Sequence, residues 1–161
     1  MSRVAVWLAA CKVPFGLLVW GLMLYGNSLD NSFHYDDTHS LIENVNVRSL
    51  ANVGRFFVDP GAFSAMPEAR MYRPLLLVSY AVNHAIDGYE PFGYHLFNVL
   101  LHAINACLVW LIAQRVLGRH STALTAALLF ATHPVVAEPI NYISSRSTLL
   151  AALFVLAAML V

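Results

Sequence analysis

Four apolar blocks, at about 4–25, 92–116, 121–135 and 147–161, leave this chain few ways to fold. A helix crosses a hydrocarbon core of about 30 Å with about 20 apolar residues, and the first two blocks reach that length. Between them lies a mixed-charge stretch, about 26–91, with no apolar run long enough to span. Composition agrees: 59% of the 161 residues are hydrophobic and 11% charged, where a soluble domain averages about 45–50% and about 25%. The sequence therefore predicts an all-α fold: a polytopic transmembrane helical bundle whose external loop carries short interfacial helices. Residues 1–161 read as part of one membrane domain. Basic and acidic residues both total nine, a balance that points to no nucleic-acid partner. Cys11 and Cys107 both lie inside apolar blocks, so no disulfide framework is expected.

Both ends carry a choice. Arg3 followed by an apolar run has the start of a signal peptide, and Leu8-Ala-Ala-Cys11 resembles a lipoprotein cleavage box. The apolar run before Cys11 is short for that purpose, however, and resumes at Val13. An uncleaved helix is the favoured reading, with Lys12 snorkelling and Pro14 bending it. At the other end, 148–161 is wholly apolar and no charge closes it. As a helix it rises about 21 Å, short of a bilayer core. This is expected of the N-terminal part of a longer protein or of a truncated reading frame.

The external stretch holds the most concentrated chemistry, Asn31-Ser-Phe-His-Tyr-Asp-Asp-Thr-His39. Adjacent carboxylates this close to a bilayer are costly unless they face water, a partner or a substrate. Further along, 50–57 has the pattern of a short amphipathic helix and Asp59-Pro-Gly61 that of a turn. Pro74 suits a first helical turn, and 74–86 is apolar but too short to span. In the second long block, His95, Asn98, His102 and Asn105 recur at helical spacing on one face, which must turn away from lipid.

Alternating spans put 27–91 and 133–146 on one side of the membrane, and the Gly118 turn and the N-terminus on the other. Arg3, Arg115 and Arg119 mark that second side as cytoplasmic. Asp36, Asp37, His133, Glu138 and Arg146 are thereby expected to converge on the extracytoplasmic face. Each has a plainer reading. The aspartates suit a solvated loop or a helix cap. The polar stripe suits bonding between helices better than an ion path. His133, Glu138 and Arg146 suit a loop with an internal ion pair. Arg73 fits a phosphate through its planar fork, or snorkels to lipid headgroups. His34 and His39 beside the acids leave a divalent metal open, although the spacing matches no strong ligand pattern.

An ordered set of motifs carries a resemblance. It comprises Asn31-Ser-Phe-His-Tyr-Asp-Asp37 with Asn44; Tyr72-Arg-Pro-Leu75 with Ser79 and Asn83; Gly93-Tyr-His-Leu-Phe-Asn98 with Leu101-His102; and Phe130-Ala-Thr-His-Pro-Val135 with Glu138, Arg146 and Leu149-Leu150. The set resembles the N-terminal membrane region of the tetratricopeptide-containing transmembrane O-mannosyltransferases and their bacterial relatives. The resemblance implies a GT-C-like glycosyltransferase that moves a sugar, mannose in this family, from a polyprenyl-phosphate donor to a hydroxyl of a protein or glycan acceptor. It implies Asp36 as base with Asp37 beside it, and no required cofactor. Arg73, His95, His133, Glu138 and Arg146 are then candidates for the donor phosphate or the sugar. The protein is expected in a bacterial inner membrane or the endoplasmic reticulum, as a multi-pass chain with a cytoplasmic N-terminus. No tetratricopeptide repeat occurs in this sequence, so the 161 residues are expected to be inactive alone. The competing reading is a non-catalytic membrane module that binds a partner or acts as a scaffold.

Overall fold

The computed structural model describes residues 3–161, with side chains described from residue 12 onward. The charge of Arg3 and the Leu8-Ala-Ala-Cys11 box lie outside the described side chains. Among the described residues all regular structure is helical. The principal helices are α1 (Arg3–Tyr25), α2 (Val53–Phe56), α3 (Pro74–Asp87), α4 (Pro91–Leu117), α5 (His120–Thr132), α6 (Ala137–Asn141) and α7 (Arg146–Ala158).

Helix α4 is the axis of the fold, packing against α1, α5 and α7. Small residues allow this closeness. Ala106, Ala127 and Ala131 are buried with Leu17 in one cluster, and a side chain added at Gly21 of α1 would lie 3.9 Å from Ala103 of α4. Backbones that approach through small side chains gain dispersion contacts without a hydrophobic driving force. Gly118, at φ 65°, ends α4 in a left-handed cap and donates to Gln114 O. That conformation is cheap only for glycine and reverses the chain at once into α5.

Length decides what crosses a membrane. Helix α4 has 27 residues, about 40 Å, and is apolar enough to cross. The expected span at 121–135 differs in the structure. Helix α5 stops at Thr132, and only together with the bent segment 134–141, at 50°, does it pass the same test. The reason is local. Pro134 has no N–H to continue the helix, and the N–H of Val135 donates to His133 Nδ1 at 3.2 Å. Helix α7 is apolar but has 13 residues. Large side chains on these helices, among them Phe15, Met23, Leu129, Phe154 and Val155, remain more than half exposed.

The 26–91 stretch has its own core. Leu41, Val47, Phe56 and Phe63 are buried against Leu76, Leu77 and Tyr80 of α3, with Tyr94 and Ile143. Asn44 ties it from within, its Nδ2 donating to Ala62 O at 2.9 Å and Phe63 O at 3.0 Å. The amphipathic pattern at 50–57 forms a 3₁₀ turn, Leu50–Asn52, that runs into α2. Asp59 caps the turn that follows, and Pro74 opens α3.

Candidate active site

The polar stripe of α4 faces the other helices, and each residue of it is at most 1% exposed. Asn105 Nδ2 donates to Leu149 O at 2.9 Å, and Asn98 Nδ2 to Ile140 O at 3.3 Å. His102 Nε2 lies 3.2 Å from Ala131 O, which also accepts from Tyr25 Oη at 3.2 Å. In an unbroken helix that carbonyl would accept from Val135 N, which His133 has taken. The stripe therefore supplies partners where α5 ends. His95 differs: among the described residues neither ring nitrogen has a partner.

Above the stripe sits Arg146, the first residue of α7, with no exposed surface. Its Nε donates to Asn98 Oδ1 at 2.7 Å. Its Nη1 donates to Ser79 Oγ at 2.9 Å and Asn83 Oδ1 at 2.8 Å, and its Nη2 to Tyr94 O at 2.9 Å. The rings of Phe97, Tyr80 and Tyr94 flank the guanidinium at 4.4, 5.2 and 5.7 Å. A buried charge survives only when its protons are bonded. This one is held by neutral oxygens and ring faces rather than by an ion pair. Two expectations change accordingly. Arg146 does not stand open to a donor phosphate, and it makes no internal ion pair with Glu138. Ser79 and Asn83, four residues apart on the mostly apolar α3, were the sequence signal for this cage.

The two aspartates of the pair face opposite ways. Asp37 is 1% exposed. Its Oδ1 accepts from Ser144 N at 2.9 Å and Ser144 Oγ at 2.5 Å, and its Oδ2 from His34 N at 3.0 Å. Asp36 turns outward, with a side chain 63% exposed. Its backbone is fixed: the N–H donates to Tyr142 Oη at 2.9 Å and the carbonyl accepts from Ser40 Oγ at 2.6 Å. Burial raises the Tyr142 phenol above its ordinary value, so it stays protonated. His39 Nε2 lies 3.6 Å from Asp36 Oδ1, and its Nδ1 lies 2.9 Å from Ser64 Oγ. The wide π-helical turn Thr38–Ile42 brings His39 back over Asp36. Sequence reading alone left His39, Tyr142 and Ser144 without these roles.

Glu138 is exposed and its Oε1 accepts from Ser145 Oγ at 3.2 Å. His133 is exposed at the start of the turn it caps. Arg73 is also exposed, with its guanidinium 5.7 Å from the Phe63 ring and Nη1 3.3 Å from Ser147 Oγ. It stands at an apolar groove of about 280 Å³ between α3 and α7, walled by Leu75, Leu150, Ala151 and Phe154. The predicted residues thus separate into an outward set, Asp36, Arg73, His133 and Glu138, and an enclosed set, Asp37, His95 and Arg146. Among the described residues no group of three or more His, Cys, Asp or Glu side chains is arranged to hold a metal ion.

Comparison with curated proteins decides the lineage. Protein O-mannosyl-transferase Tmtc1 of Drosophila melanogaster is 34% identical over 143 residues, 83% of this chain and 16% of its own length. Human Protein O-mannosyl-transferase TMTC2 is 34% identical over 143 residues, 87% of this chain and 17% of its own length. Mouse Protein O-mannosyl-transferase TMTC3 is 31% identical over 139 residues, or 84% of this chain. The chain belongs to the TMTC family. It spans about a sixth of the length of these TMTC relatives. No family model matches it. No solved structure matches it. The motifs around Asp36, Arg73, Asn98 and Arg146 are thus motifs of a TMTC-family chain.

Proposed function

We propose that this chain forms part of the catalytic region of a membrane mannosyltransferase. It would take the sugar from a polyprenyl-phosphate donor and pass it to a hydroxyl acceptor on the extracytoplasmic side. The observation that carries the reading is the split of the aspartate pair. Asp37 is spent on structure, and in doing so it presents Asp36 to solvent with a fixed backbone and a histidine beside it.

Asp36 is the base. As the acceptor oxygen attacks the anomeric carbon, the carboxylate takes the hydroxyl proton. The bond between that carbon and the phosphate oxygen breaks, and the polyprenyl phosphate leaves with the electron pair. One displacement inverts the anomeric centre. Arg73 meets the charge growing on the leaving phosphate through its planar fork, and the apolar groove beside it takes the first part of the lipid tail. Glu138 lies on the sugar's side. Arg146 acts through Asn98 and the 143–145 turn as a positioning residue. The exposed apolar surfaces of α1, α5 and α7 face lipid, in a multi-pass arrangement with the N-terminus cytoplasmic.

The test is Asp36→Asn in the intact protein, assayed for transfer of mannose from a polyprenyl-phosphate donor. Loss of transfer with unchanged membrane insertion supports the reading. Retained transfer overturns Asp36 as the base, and absence of transfer in the parent protein leaves the non-catalytic scaffold.

A further inference from the structure

We infer that the open cavity between the Asn31–Tyr35 segment and α6 is a pyranose subsite, which seats the donor's sugar against an aromatic corner made by Tyr35 and Tyr142. The inference rests on the glycosyl-transfer reading above, and it gives Tyr35, Tyr142, Asn31 and Asn141 a role that the resemblance leaves open.

The cavity has a volume of about 460 Å³ and is lined by Asn31, His34, Tyr35, Glu138, Asn141 and Tyr142, with Ala137. That is within the range of small-molecule sites. Its lining differs from that of the groove beside Arg73. The groove is apolar with one cation. The cavity combines two phenol rings with amides, a carboxylate and an imidazole. A pyranose needs this mixture, because one face of the ring presents C–H groups and its edge presents hydroxyls. Aromatic faces carry negative charge density that attracts the C–H face. Glu138 accepts from hydroxyls only, while Asn31 and Asn141 both donate and accept. Between them they match vicinal hydroxyls that each donate and accept.

Tyr35 is the unusual element. It is the one non-glycine residue with positive φ among the described residues, at 47°, and its side chain is 87% exposed. A bulky residue in this region is strained, and such strain gathers where function requires it. Packing does not offset it: the ring stays largely uncovered, its centroid 6.4 Å from that of Tyr142 in an edge-on pair and 6.5 Å from that of His34 in a tilted one. The strained backbone holds a naked aromatic face at the cavity. The same Tyr142 that forms the other side of the corner receives the Asp36 N–H at 2.9 Å. The sugar platform and the base are therefore fixed to one hydroxyl.

The experiment uses the intact protein, purified in detergent micelles, with methyl α-D-mannopyranoside, read by saturation-transfer NMR. The compared variants are Tyr35→Gly and Glu138→Gln. Glycine adopts φ 47° without strain, so Tyr35→Gly keeps the fold while removing the ring, and its thermal midpoint should equal or exceed the parent's. Saturation of the mannoside protons in the parent, reduced at least five-fold in both variants, is the expected result. No saturation in the parent, or undiminished saturation in Tyr35→Gly at an unchanged midpoint, overturns the subsite. Because this binding needs no turnover, its failure is separate from failure of the Asp36→Asn transfer assay. In the intact protein, Tyr35→Gly should raise KM for the donor about ten-fold and leave KM for the acceptor unchanged. A rise confined to the acceptor overturns the assignment to the donor's sugar.

Discussion

Asp37 and Ser144, 107 positions apart, are joined twice through one carboxylate oxygen, by the backbone N–H at 2.9 Å and the hydroxyl at 2.5 Å. The other oxygen accepts from His34 N. One buried side chain thus fastens the 26–91 stretch to the turn that opens α7, and the outward direction of Asp36 depends on it.

The two aspartates should separate cleanly on substitution. Asp37→Ala leaves two buried donors of Ser144 and the part-buried N–H of His34 without their acceptor, and removing hydrogen bonds to a charged group costs about 1.5–3 kcal/mol each when counted singly. A loss of about 3 kcal/mol or more is expected, with transfer lost as a consequence. Asp36→Asn is a surface change expected within about 0.5 kcal/mol. Thermal unfolding in detergent measures both. Equal destabilisation would mean that Asp36 is structural too.

Arg146→Lys should be strongly destabilising despite the conserved charge. The guanidinium makes four hydrogen bonds in a fixed plane, and an ammonium has three donors in another geometry. The expected cost is about 2–4 kcal/mol, in the range for breaking buried charged networks. A variant that unfolds at the parent's midpoint would show that the cage adapts.

Arg73 should act on the donor rather than on the fold. It is exposed, so Arg73→Ala is expected to change stability by no more than about 0.5 kcal/mol. KM for the polyprenyl-phosphate donor should rise about ten-fold, with about 1.4 kcal/mol of binding lost. Arg73→Lys should recover only part, because it lacks the planar fork. An unchanged donor KM in both variants would remove Arg73 from the site.

Tyr25 and His102 share one acceptor, Ala131 O. Tyr25→Phe or His102→Leu alone leaves it one partner and should cost about 1 kcal/mol. The double variant orphans a buried carbonyl. Its cost should exceed the sum of the singles by about 0.5 kcal/mol or more, which a double-mutant cycle in detergent would read. Strict additivity would mean that water replaces the lost donors.

Much of this architecture follows from local chemistry. The apolar blocks, Pro74 and Pro91 at helix starts, Gly118 at a helix end and the 3.6-residue period of the α4 stripe are properties of neighbours in the chain. They predict the helices and the inward face of α4 without knowledge of what packs there. The break of the expected 121–135 span at His133-Pro134 was also local, but the apolar run carried past it because hydropathy does not register a missing N–H.

What adjacent residues do is another matter. Asp36 and Asp37 are chemically identical side chains one position apart, and no period or propensity assigns one to water and the other to the interior. That choice comes from Ser144, 107 positions away, whose backbone N–H and hydroxyl both donate to the Asp37 carboxylate and hold it inside. Likewise Arg146 reads as a loop cation until Ser79, Asn83 and Asn98, from two other helices, close around it. Sequence fixed which residues were polar in an apolar chain. Only tertiary contact decided which of them remain free to act, because desolvation penalises an enclosed donor or acceptor that lacks a partner and leaves those at the surface untouched.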